Sequence, residues 1–279
     1  MIEDRKPMEL VQHLKTLYPE AFGRGKKEGR SSRLTQILAA WKEERIVFDV
    51  SEALAEVLYE QADRDTWDFP RSVLAMLPAL FYLHTSVDAA QGLSRQEGIF
   101  VWRETAENFC LLAAGEDGNE IFHVRFSTEN GATLGECLQH CSDMMRPILA
   151  RWLEVMMYLA SENGEKEEEN YYFLLSEGSL PQRVRYIRAG WETGKSIESM
   201  KDELERCLTE EADAFRGERK LPRAHIRRPH WHMYRTGSRK KPIEERPLAL
   251  RWLAPKLIMG KRIRKTPPPE GKTVPFEKA

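Results

Sequence analysis

Apolar positions recur at helical spacing through the first part of the chain. Leu10, Val11, Leu14 and Leu17 share one face of a first helix. Leu34, Ile37, Leu38 and Trp41 share a face of a second, starting near Ser31 or Ser32. Ser51 reads as the N-cap of a third, with Leu54, Val57 and Leu58 turned inward. GRGKKEGR at 23–30 is a polar, basic loop, and Asp68, Phe69 and Pro70 break the helical pattern. The run 72–83 is apolar all round, which predicts a buried segment divided by Pro78. This first third therefore reads as helical.

The period then changes. GIFVW at 98–102, FCLLA at 109–113 and IFHVRF at 121–126 are short and β-rich, with the turn signal Asp117-Gly118 between the last two. They predict a small three-stranded antiparallel meander. Thr133 and Glu136 form a capping box. The apolar stripe behind it, from Leu134 through Met145, Trp152 and Met156 to Leu159, predicts one long helix kinked at Pro147 and packed across the meander. Such a stripe is ordinarily core, with a peptide-binding groove as the alternative. ENGEKEEEN at 162–170 reads as a solvated loop and YYFLL at 171–175 as a short strand. The segments 181–189 and 196–209 read as helices.

Near the C-terminus the period is two. His230, His232 and Tyr234 alternate with Trp231, Met233 and Arg235; Leu248, Leu250 and Trp252 alternate with Ala249, Arg251 and Leu253. Gly237, Ser238 and Pro242 supply turn chemistry between them. The prediction is a β-hairpin with a long basic tip. The expected fold is α+β: a helix-rich body over 1–215 with a small antiparallel meander, a basic C-terminal β-hairpin module over 216–265, and a Pro-rich tail over 266–279.

Charge sharpens this division. The chain of 279 residues has a formal net charge of −1. Residues 216–265 hold 17 Lys and Arg against 3 Asp and Glu, a local net of +14, so the body carries −15. An acidic body joined to a basic module implies nucleic-acid contact or an internal electrostatic interface. The four cysteines, Cys110, Cys137, Cys141 and Cys207, are scattered and fit a reducing compartment. No apolar run approaches the roughly 18 residues of a membrane helix. The opening MIEDRKPMEL has no secretory pattern. A protein of the cytoplasm of whatever cell makes it, without membrane contact, is expected.

Candidate chemistry concentrates in the basic module. Arg227, Arg228, Arg235, Arg239, Lys240, Lys241, Arg251 and Lys256 interleave with His230, Trp231, His232, Tyr234 and Trp252. Cations meet phosphates and aromatic faces stack on unpaired bases, so these thirteen residues form the candidate nucleic-acid-binding set. His230 and His232 on one strand face also suit a metal-free ribonuclease acid–base pair, with His225 nearby. No residues complete a metal site around these histidines or around Cys137, His140 and Cys141. No phosphate-binding glycine loop, nucleophile elbow or zinc-protease motif is present. The expectation is a binding protein, not an enzyme, with no catalytic residues, no metal and no cofactor.

The core His230-Trp231-His232, Tyr234, Thr236-Gly237, the basic Arg239 to Lys241, and the strand ending in Trp252 to Pro255 resemble the C-terminal signature of the type V-A anti-CRISPR family, carried by phages, prophages and plasmids. The resemblance covers about 35 residues. It implies a repressor that recognises the nascent N-terminal polypeptide of the type V-A CRISPR effector nuclease and causes translation-linked loss of its message. RNA or the ribosome is then the expected contact of the basic module. The resemblance carries over no catalytic residues.

Overall fold

The computed structural model describes residues 7–23, 29–62, 69–87, 96–105, 108–115, 117–127, 133–139, 141–174, 181–214 and 224–258. Seven strands form its central sheet: β1 (Ile46–Val50), β2 (Leu80–Thr85), β3 (Gln96–Arg103), β4 (Asn108–Gly115), β5 (Glu120–Ser127), β6 (Lys166–Phe173) and β7 (Gln182–Ala189). Their order is β5-β4-β3-β2-β1-β7-β6. β1 lies in parallel between β2 and β7. The pairings outside that trio are antiparallel.

Helices cover both faces. On one face lie α1 (Pro7–Leu17), α2 (Ser32–Trp41) and a 3-10 turn at Pro19–Phe22. Leu10, Leu14, Leu34, Ile37 and Trp41 meet Val47, Tyr82, Phe100 and Tyr186 of the sheet there. On the other face lie α3 (Glu52–Ala62), α4 (Leu134–Gln139), α5 (Met145–Ala160) and a 3-10 segment at Arg71–Met76; α6 (Trp191–Ala214) packs beside α3. Ile46, Phe48, Val50, Phe81 and Leu83 point into this second core. Among the described residues, no helix is long and apolar enough to cross a membrane.

A mixed α/β architecture thus replaces the helix-rich body with a small meander. The three strands expected at 98–102, 109–113 and 121–126 are present and pair in sequence order. They are one side of the seven-stranded sheet, not a separate small meander. β1 and β2 were hidden in the apparently helical first third. All five residues of β1 are buried, because both its faces are covered, so it shows no alternation. The apolar run 72–83 is split, its front half a 3-10 segment and its end, beyond Pro78, β2.

Further expectations change. The segment 181–189 is strand β7, not a helix, and the supposed acidic loop becomes β6 from Lys166 onward. The pattern has a cross-strand reason: Arg185 reaches Glu168 at 2.9 Å, and Arg188 reaches Glu167 at 2.7 Å and Glu169 at 3.0 Å. The long helix after Thr133 is two. Its capping box forms, with Glu136 N–H donating to Thr133 Oγ1 at 3.3 Å and Thr133 N–H to Glu136 Oε2 at 2.9 Å. The helix ends at Gln139, and Pro147 falls in the first turn of α5, where a missing N–H costs nothing. Pro147 therefore starts a helix and does not kink one.

From Ile148 to Ala160 every residue of α5 is buried, including Arg151 and Glu154. A helix covered all round has no free stripe, so the groove reading of this segment does not hold. It packs against the sheet, α3, the 3-10 segment at Arg71–Met76 and the C-terminal hairpin. The boundary read at 216 and the tail 266–279 lie outside the described residues.

Candidate nucleic-acid interface

The basic module is a two-stranded ribbon in two parts. β8 (His225–Arg227) pairs with β11 (Lys256–Ile258), and β9 (His230–Arg235) pairs with β10 (Leu248–Leu253), both antiparallel. Between the two parts come the prolines Pro229 and Pro255, which fall opposite Ala254 and Arg228 respectively when the register is continued. Neither has an N–H to donate, so the ladder stops there and resumes beyond.

Register places Trp231 directly across from Trp252 on the face toward α5. Trp252 is only 2% exposed; its ring packs edge-on against Tyr158 at 5.4 Å and its Nε1–H donates to Gln61 Oε1 at 3.2 Å. Asn163 acts as a surrogate strand for it: Trp252 N–H donates to Asn163 Oδ1 at 3.0 Å and Asn163 Nδ2 donates to Trp252 O at 2.7 Å. The half-buried Trp231 donates its Nε1–H to Glu154 Oε2 at 2.7 Å and packs against Phe69. Both tryptophans anchor the ribbon to the body. The expected role as a base-stacking platform is corrected for Trp252, which has no exposed face.

The opposite face is open. His230, His232 and Arg251 are exposed. Arg251 lies over the Tyr234 ring at 5.6 Å, and the His232 and Tyr234 rings are 5.9 Å apart. Tyr234 donates its hydroxyl to Glu162, and that hydrogen bond raises its pKa above the ordinary phenol value. Tyr234, His232 and Arg251 thus make a compact aromatic–cation surface of the kind that takes an unpaired base and its phosphate.

The tip is built rather than loose. Arg246 donates through Nε to Lys241 O at 2.9 Å and through Nη2 to Arg239 O at 2.7 Å, while Arg235 Nη1 donates to Arg246 O at 3.0 Å. Gly237 takes φ +94°, a left-handed conformation that favours glycine. Arg246 satisfies the carbonyls, so Arg239, Lys240 and Lys241 project outward. Among the described residues none of the three has an ion-pair partner. Arg227 and Lys256 stand opposite each other in the proximal ribbon and extend the same charge. Arg228 instead lines a cavity against α3 and α6.

His230 and His232 share the exposed face of β9. Among the described residues neither imidazole has a hydrogen-bond partner. His140 and the side chain of Cys137 lie outside the described set. Among the described residues no three His, Cys, Asp or Glu converge on a metal position.

Two groupings had no signal in the chain pattern. Glu154, Glu162, Asn163 and Gln61 hold the ribbon, yet each occupies a position that reads as helix or solvated loop. Asp49 of β1 also joins its neighbours: His84 Nδ1 of β2 lies 2.7 Å from Asp49 Oδ1, and Tyr186 of β7 donates its hydroxyl to Asp49 Oδ2. Burial first, and Asp49 second, raise the Tyr186 pKa. Asp49 and His84 are each 4% exposed, so this trio ties three strands together away from solvent.

Fold and surface define a three-layer α/β protein with a rigidly anchored cationic ribbon. The family profile "AcrVA2-like: Anti-CRISPR type V subtype A2 family" matches residues 48–260. The chain belongs to this family, and its function at family level is anti-CRISPR. Among solved structures it is similar to one titled "Crystal structure of AcrVA2", at 12% identity and TM-score 0.50, covering 90% of this chain and 96% of that one. At that identity the likeness is one of fold. No curated protein sequence matches.

Proposed function

We propose that the protein is a translation-linked repressor. It recognises the N-terminal nascent polypeptide of a type V-A CRISPR effector nuclease in the bacterial cytoplasm and causes loss of the message being translated. Its cationic ribbon rests on RNA, either the message or the ribosome. It acts by binding, and another protein degrades the message. Family membership supports the anti-CRISPR setting. The observation that carries the rest is the outward set Arg239, Lys240 and Lys241, held on a built tip and left without acidic partners among the described residues. A cationic tip with no internal use is suited to phosphates.

The test is charge reversal of Arg239, Lys240 and Lys241 to Glu, with circular dichroism confirming the fold. RNA affinity should fall, and repression of a reporter bearing the N-terminal coding segment of a type V-A nuclease should weaken with it. A folded variant that keeps both RNA association and repression contradicts the proposal.

A further inference from the structure

A cavity of about 290 Å³ lies where α3, α6 and the proximal ribbon meet. Its walls are apolar: Val57 from α3, Ile197 and Met200 from α6, and Ile226, Pro229 and Pro255 from the ribbon. Two hydrogen-bond donors there are unused among the described residues. Gln61 is 6% exposed, and an indole N–H can only donate, so Trp252 fixes the Gln61 oxygen toward itself. The Gln61 amide nitrogen is left buried with no partner among the described residues. A buried donor of this kind is costly until an acceptor reaches it. At the mouth, exposed Arg228 has no hydrogen-bond or ion-pair partner among the described residues, whereas Lys201 beside it is held by Glu56 at 3.0 Å. Glu60 shares the mouth on the α3 side.

We infer that this cavity receives an apolar side chain of a peptide that carries an acidic residue next to it, the main-chain carbonyl accepting from Gln61 Nε2 and the carboxylate from Arg228. The inference rests on the peptide-recognition reading above and gives it a place. Among the described residues the lining includes no aromatic ring on which a base would stack. A volume at the small end of ligand pockets fits one or two side chains. Met200 is the adaptable wall that varied apolar side chains require. Gln61 Nε2 and Arg228 are donors, so a ligand that pairs with them must bring acceptors, and a carboxylate is the acceptor suited to the Arg228 cation.

The full chain, labelled with carbon-13 at the methionine methyls, tests this by titration with two capped peptides, acetyl-Gly-Leu-Glu-Gly-amide and acetyl-Gly-Leu-Lys-Gly-amide. The Met200 signal, assigned by Met200→Leu, should shift and saturate with the first. It should respond about threefold more weakly to the second, as expected of an exposed charge pair. Arg228→Ala should remove that preference, and Val57→Phe, which fills the cavity, should abolish both responses. A Met200 signal unmoved by the Leu-Glu peptide up to its solubility limit, or a preference that survives Arg228→Ala, overturns the inference. Repression of the nuclease-segment reporter separates the two levels. Wild-type repression that Val57→Phe leaves intact removes the cavity from recognition. Absence of peptide-specific repression by the wild type removes the recognition reading itself.

Discussion

Trp252 shows what a single residue does here. It fills the space between Tyr158 and the ribbon and satisfies Gln61 with its indole N–H. Trp252→Ala should cost about 3–5 kcal/mol, the usual cost of truncating a buried aromatic. Trp252→Phe keeps most of the packing but leaves Gln61 Oε1 unpaired, and should cost about 1–3 kcal/mol. Urea unfolding of the three proteins checks the order; a Phe variant as stable as wild type would mean that the hydrogen bond contributes nothing. The alternation of residues 230–235 and 248–253 correctly separated the two faces of each strand. It did not say which face meets the body, because both carry aromatics. Only the partners Glu154, Gln61 and Asn163 decide that, and they are distant in sequence.

At the scale of elements, α6 begins on a side-chain cap from the loop before β6. Glu165 accepts from Glu192 N–H, Thr193 N–H and Thr193 Oγ1, each at 2.8 Å. Burial pushes the Glu165 pKa up, but these donors outweigh it and hold the carboxyl below its ordinary value of 4.5. A carboxylate with a lowered folded pKa contributes its stability above the unfolded value, and that contribution is lost as pH falls through the folded one. Glu165→Ala should therefore cost about 1 kcal/mol at pH 7, as helix caps do. The difference from wild type should shrink as pH drops below 4.5. A gap constant across that acid range would contradict the assignment. Elements were legible where one face is solvated: the amphipathic helices α1, α2 and α3, and the hairpin. β1 was not, because burial on both faces erases its period, and β7 was not, because its arginines are explained only by the glutamates of β6.

The whole molecule separates its charges, with +14 gathered in 216–265 against −15 in the rest. That division was visible in composition alone, as was the family, through a signature of about 35 residues. The scaffold beneath it was not visible, since three-layer packing depends on long-range pairing that no local pattern records. The tip makes the electrostatic claim quantitative. Reversing Arg239, Lys240 and Lys241 removes three possible phosphate contacts, so the log–log slope of single-stranded RNA affinity against salt should fall by about 2. An unchanged slope would place RNA elsewhere on the molecule.

Peptide-dependent repression is the central claim, and one paired reporter tests it most directly. The N-terminal coding segment of a type V-A nuclease is fused to a fluorescent protein in bacteria, beside a frame-shifted copy with nearly the same RNA and a different peptide. Message levels are then measured with and without this protein. The account predicts loss of the in-frame message alone. Equal loss of both messages would contradict it and assign recognition to the RNA itself.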